Sequence, residues 1–298
     1  MRKPIVIILV IIITFFSCDF FLSKVLSYGV ERFYGLNQHS EVLMIGHSHL
    51  MLAVDKEKIE SELCTTVSKY TMEGVSVSDR VGMIDMYLNS KYSDSLKICL
   101  YGVDLCTFTA GGLSDNAYML FYPYMDNPQI SSLIKSSTSN TDFWLHKLVR
   151  LSRFNDDNLK NAAIRGWMGD WSNKKSGTID VEVYKRKLAY GDERHIQLDP
   201  ELISQFEESI KTLNDRGIKV ILVNLPTLDL LNQFEPDKFE EITNWFITFS
   251  NNHDNVEYWD FNPEFSSRHE LFHDRLHLNA KGQSIITEVM INRLKNEL

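Results

Sequence analysis

The chain of 298 residues is 44% hydrophobic and 24% charged, with 7 prolines and 14 glycines, a balance that excludes disorder, collagen-like repeats and a small disulfide scaffold. Its 31 basic and 40 acidic side chains leave a net charge of −9, and no Lys/Arg block is long enough to track phosphates, so nucleic acid is not an expected partner. The average hides two unlike pieces, because residues 4–18 carry no charge and are mostly Ile, Val, Leu and Phe.

Arg2 and Lys3 precede this run, which reaches Leu22 if Asp19 is tolerated. At 1.5 Å per residue its length is about 28 Å, enough to cross a hydrocarbon core. The cationic flank stays in the cytoplasm, so the rest of the chain is expected outside the cytoplasmic membrane. Residues 1–22 therefore read as a signal anchor crossing the membrane once, residues 23–40 as a juxtamembrane linker and residues 41–298 as the folded domain. A cleaved signal and a lipoprotein signal ending at Cys18 stay open. Against them, a small-residue cleavage pattern is missing, and Phe15 and Phe16 suit a lipobox poorly. Removing Arg2, Lys3 and Asp19 leaves −10 on the exported 276 residues. Outside the span, Cys64, Cys99 and Cys106 form neither an even framework nor a C-x-x-C pair, so disulfides and redox chemistry are not expected.

Short apolar runs then alternate with helical spacing. Strands are predicted at Val42–Ile45, Thr66–Met72, Ile98–Tyr101, Ile218–Leu225 and Val256–Phe261. Helices are predicted through Val77, Val81, Ile84 and Leu88, over Asp199–Leu213 with Asp199 as cap, over Lys238–Phe249, and after Asn279 to the end. This order predicts an α/β fold, a three-layer sandwich with a central parallel sheet of about five strands. An insertion at about 107–197 interrupts it, rich in Ser and Asn and carrying Tyr118, Phe121, Tyr122, Tyr124, Trp144, Trp167 and Trp171. It reads either as a small helical subdomain with its own aromatic core or as a lid or acceptor platform above the sheet edge.

Two short motifs carry chemistry. The first strand runs into Gly46-His47-Ser48-His49, which presents Ser48 at the strand's C-terminal end. Near the chain end, Asp274-Arg275-Leu276-His277 precedes Asn279, a cap for the last helix, so one turn lets Asp274 orient His277 and His277 take the serine proton. His47, His49, His273 and His277 also have metal-like spacings, but nothing supplies an obvious fourth ligand in a fixed relation to them, the serine between the first two has its own explanation, and neither a metal nor a cofactor is expected. His49, Asp104 and Asn224 are candidate substrate contacts. Each has a structural alternative: His49 packing at the first helix, Asp104 bonding backbone at the rim, Asn224 shaping a loop.

These motifs resemble the SGNH (GDSL-like) hydrolase superfamily, and more closely its membrane-anchored, cell-envelope branch of acyl-transfer proteins. Residues 42–49 look like the nucleophile block and residues 274–279 like the terminal D-x-x-H block. The resemblance implies an SGNH/flavodoxin-like sheet, Ser48 as nucleophile, His277 as base and Asp274 as its partner. It also implies an oxyanion hole of the Ser48 N–H, a second-block glycine N–H and a third-block Asn. Gly74, in Glu73-Gly74-Val75-Ser76, fits the second block; where the third would read G-x-N-D, the chain has Gly102-Val103-Asp104, and the Asn is missing. One lost donor costs on the order of 100-fold in rate. Asp104 could replace it only if protonated.

The expected function is that of a serine esterase or O-acyltransferase acting on an ester-bearing envelope glycan or another small ester, with envelope-biosynthesis proteins as further candidate partners. The alternative is a non-catalytic glycan-binding or assembly component of a polysaccharide export system.

Overall fold

A computed structural model describes residues 2–109, 117–191 and 193–298; the expected insertion therefore lies partly outside the described residues, at 110–116 and 192. In chain order the elements are helix α1 (Arg2–Tyr34), strand β1 (Val42–Gly46), α2 (Ser48–Ala53), α3 (Lys56–Leu63), β2 (Val67–Thr71), α4 (Val77–Leu88) and β3 (Ile98–Val103). There follow α5 (Pro128–Ser137), α6 (Asn140–Leu148), α7 (Asp157–Met168), α8 (Val181–Ala189) and α9 (Pro200–Asn214). Then come β4 (Lys219–Asn224), α10 (Asp229–Asn232), α11 (Pro236–Asn251), β5 (Val256–Asp260), α12 (Asn262–Phe265) and α13 (Ala280–Leu294). Contacts divide the chain into two compact units, Met1–Asn37 with Asn116–Asp170, and Gln38–Asp115 with Trp171–Leu298.

The second unit is the predicted α/β sandwich. Its five strands are all parallel in the order β2-β1-β3-β4-β5. A parallel sheet covered on both faces needs strands that are apolar throughout, and β1 and β3 are buried at every position. Alternation sends Val42, Met44, Leu100, Ile221 and Val223 to one face, where Leu50, Ile59 and Met290 of α2, α3 and α13 meet them. Tyr101 points the other way, edge-on to Phe206 of α9, with ring centroids 5.2 Å apart.

Local chemistry sets the helix starts. Ser76 and Asp79 form a reciprocal capping box on α4; Asp199 accepts from the Glu201 and Leu202 N–H groups ahead of α9, with Pro200 at its first turn; Asn279 accepts from the Lys281 and Gly282 N–H groups at 3.1 Å each. In register, Ile45 lies beside Tyr101 and Val103 beside Asn224, so the C-terminal ends of the central strands share one edge.

The first unit is helical. The apolar run sits in a continuous 33-residue helix, so the stretch expected as a linker is helical as far as Tyr34. Along α1 lies α7, in backbone contact: a Cβ added to Gly166 would fall 1.8 Å from the Gly29 carbonyl oxygen. Asp19, acidic amid apolar residues, is buried, and its two oxygens accept the Arg150 N–H at 2.9 Å and the Leu151 N–H at 2.8 Å, opening the 3-10 turn Arg150–Phe154. Of the insertion's aromatics, Phe121 and Tyr122 are buried, whereas Trp144 and Trp167 are exposed.

Candidate active site

Ser48 is the first residue of α2, one residue, His47, beyond the end of β1. His47 caps that helix: its Nδ1 accepts the His49 N–H at 3.2 Å, so its single ring proton lies on Nε2. Ser48 Oγ lies 2.9 Å from His277 Nε2, and His277 Nδ1 lies 2.8 Å from Asp274 Oδ2. The other Asp274 oxygen accepts the backbone N–H groups of Leu276 and His277, both at 2.9 Å.

The turn carrying these two residues is closed by an antiparallel bridge between Phe272 and Leu278 and by the His273 N–H donating to the His277 carbonyl at 2.8 Å. Burial works to raise the Asp274 pKa, but the bond and charge of His277 and the two backbone donors outweigh it and hold the carboxyl far below the usual carboxylate range. Asp274 is therefore an acceptor at neutral pH and fixes the His277 proton on Nδ1. That leaves the Nε2 lone pair facing Ser48.

Gly74 has a φ of 75°, a left-handed conformation that favours glycine, in the turn after β2. With Gly46 beside Thr71, and the Met72 N–H donating to the Gly46 carbonyl at 3.1 Å, this turn leaves the sheet next to the one bearing Ser48.

The three candidate substrate contacts are all buried, and each is held by protein groups. Asp104 Oδ2 accepts from His47 Nε2 at 2.8 Å, and its Oδ1 accepts the Cys106 N–H at 2.9 Å. Burial opposes ionisation of Asp104, but the adjacent His47 and His49 prevail and keep its carboxyl well below the ordinary range. An ionised carboxylate donates nothing, so Asp104 cannot fill the place of the missing Asn as an oxyanion donor. Burial lowers the pKa of His47 despite Asp104, and the pair is a neutral imidazole donating to a carboxylate.

His49 Nε2 lies 3.2 Å from the Pro226 carbonyl oxygen, and its ring stands edge-on to His277 with centroids 6.4 Å apart. Asn224 donates to the Tyr258 hydroxyl at 2.8 Å and to Asp260 at 3.1 Å, which ties β4 to β5. His273 Nδ1 meets the Ser176 carbonyl at 2.7 Å. Among the described residues no cluster of three His, Cys, Asp or Glu side chains could hold a metal ion.

Two supporting groups escape a reading of sequence. His47 is one; its signal is the symmetrical His-Ser-His, which does not say that Asp104, 57 positions later, is the partner of the first histidine. The other is Arg80 on α4, wholly buried, which donates from Nη1 to the Gly102 carbonyl at 2.7 Å and whose charge helps keep His47 neutral. A cavity of about 220 Å³ opens beside Asp274, with Asp180, Tyr184 and Lys187 of the α8 region on one side and His273 and Arg275 on the other.

No family model and no curated protein matches the chain. Among solved structures it is similar to a candidate platelet activating factor from Streptococcus pneumonia, at 12% identity and a TM-score of 0.39 over 97% of this chain and 98% of that one. It is also similar to a lipase from goat rumen metagenome, at 10% identity and a TM-score of 0.40 over 85% of this chain and 96% of that one. Likeness of this degree carries no information on chemistry, which rests on the site itself.

Proposed function

We propose that the chain is an SGNH-like serine esterase or O-acyltransferase, held in the cytoplasmic membrane by α1 and acting outside it on an ester-bearing envelope glycan. The observation that carries this reading is the relay from Ser48 through His277 to Asp274: a 2.9 Å bond joins Ser48 to His277, 229 positions away, and a 2.8 Å bond joins His277 to Asp274. Side chains so distant in sequence converge in donor-to-acceptor order at the sheet edge where α/β proteins place their chemistry.

In the proposed reaction Ser48 Oγ attacks the ester carbonyl while its proton passes to His277 Nε2, and Asp274 stabilises the resulting imidazolium. The carbonyl electron pair moves to oxygen, facing the N–H groups of Ser48 and Gly74. Collapse expels the alcohol, which takes the proton from Nε2, and leaves an acyl-serine. Water or a sugar hydroxyl then gives its proton to His277 and attacks the acyl carbon, and Ser48 leaves with that proton from Nε2, releasing the free acid or the acylated sugar. With Asp104 ionised, the hole has one donor fewer than the superfamily pattern. Slow turnover of simple esters follows.

The test is capture of a serine-reactive fluorophosphonate by the full chain and by Ser48→Ala, together with p-nitrophenyl acetate hydrolysis by both. Stoichiometric labelling and turnover that vanish in Ser48→Ala are expected. Equal rates in the two proteins, or no labelling of either, would refute the nucleophile and favour a glycan-binding component.

A further inference from the structure

The first unit presents an apolar face at a depth set by Asp19. On α6, Trp144 is 56% exposed, Leu145 46% and Leu148 62%, and their spacing of i, i+1 and i+4 places them on one side of the helix. Phe143 and His146, on the opposite side, are buried within the unit.

The depth follows from α1. Starting at Lys3, about 20 residues at 1.5 Å each traverse a hydrocarbon core of about 30 Å, which brings the far boundary near Ser23. Asp19 thus lies about four residues, or ~6 Å, inside that boundary. Its carboxylate holds the N–H groups of Arg150 and Leu151 at 2.9 and 2.8 Å, and Leu148 is only two residues before Arg150. The end of α6 is therefore fixed within about one helical turn of the level where α1 leaves the lipid.

The neighbouring groups suit that level. The Arg150 guanidinium lies 5.4 Å from the Phe20 ring centre and the Lys24 ammonium 5.8 Å from it, long cationic side chains beside an aromatic at the boundary where such pairs sit.

We infer that α6 is a second point of membrane attachment, lying in the interface from which α1 emerges with Trp144, Leu145 and Leu148 in the lipid. This rests on the reading of α1 as a retained span. The carboxylate of Asp19 then has a defined place: it satisfies two backbone donors that would otherwise be desolvated with the turn. The helical unit is a foot on the bilayer.

The test uses the full chain, with Cys18→Ser and Cys64→Ser to remove exposed thiols, reconstituted in phosphatidylcholine and phosphatidylglycerol vesicles. An environment-sensitive fluorophore is placed in turn through Ile12→Cys, Leu148→Cys and Asp157→Cys. Asp157 begins the antiparallel α7, whose other end bonds α1 at Val25, so it stands on the far side of the unit from Asp19. Quenching by nitroxide lipids is expected severalfold at 12, with label deep in the acyl chain, and severalfold at 148, with label near the headgroup, and not at 157. Quenching at 12 but not at 148 overturns the proposal and leaves the span standing. A blue-shifted but unquenched label at 148 overturns it in favour of a protein partner. Quenching at neither 12 nor 148 overturns the span and the proposal together.

Discussion

Asp274→Asn changes one atom and reverses the direction of the relay. One Asp274 oxygen accepts two backbone N–H groups, from Leu276 and His277, and the other accepts His277 Nδ1–H. An amide in this place keeps its carbonyl oxygen toward the two backbone donors, because the opposite orientation sets NH₂ against two N–H groups. Its NH₂ then faces Nδ1, which must become the acceptor. The ring proton moves to Nε2, the atom 2.9 Å from Ser48 Oγ, and a protonated Nε2 cannot take the serine proton. Loss of kcat by about 10⁴-fold is expected, the scale of the corresponding change in the serine-protease triad, or about 5.5 kcal/mol of transition-state stabilisation. Stability falls by only about 1 kcal/mol, as a charge-assisted bond is exchanged for a neutral one. Asp274→Ala imposes no tautomer and should retain more activity than Asp274→Asn. Turnover of p-nitrophenyl acetate, with urea unfolding as control, measures both; an Asn variant within tenfold of wild type would refute the tautomer argument.

Two further expectations concern stability. The Asp104 carboxyl is held below its unfolded value of about 3.9, so its contribution is fully present above that pH and is lost as pH falls toward the folded value. Asp104→Asn should cost on the order of 1.5–3 kcal/mol at pH 7 and flatten the fall in urea midpoint below about pH 4; parallel acid limbs in the two proteins would contradict this. A Cβ on Gly282 would lie 2.4 Å from the Leu271 carbonyl oxygen, so Gly282→Ala must displace the start of α13. A loss of about 1–3 kcal/mol, seen as a lower Tm with a parallel fall in kcat, is expected, and an unchanged Tm would count against the packing.

The sheet was legible because its strands are short, apolar and separated by amphipathic helices, and each predicted strand lies within two residues of the observed one at either end. Asp199 and Asn279 cap where their side chains and positions predict. Within the insertion, the helices were hidden by polarity although their starts were written in Asn127, Ser139, Asp156 and Asp180, each of which accepts from the first turn that follows it. At the candidate site, Ser48, Asp274 and His277 could be named because their spacing relative to β1 and α13 is local. The partner of Asp104 could not: a buried carboxylate takes its meaning from what folds against it, and His47 comes from a neighbouring strand's end. Asp19 is the same case at longer range, since its two donors lie 131 and 132 positions away.

The bridge between Phe272 and Leu278 ties the proposed base and its orienting carboxylate into one short loop. Asp274 bonds both the backbone and the ring of His277, so neither residue can leave its place without breaking the loop itself. Opening of this loop is then expected to withdraw the proposed base and its carboxylate from Ser48 together. Amide exchange at Leu276 and His277 should follow loss of activity with a single rate.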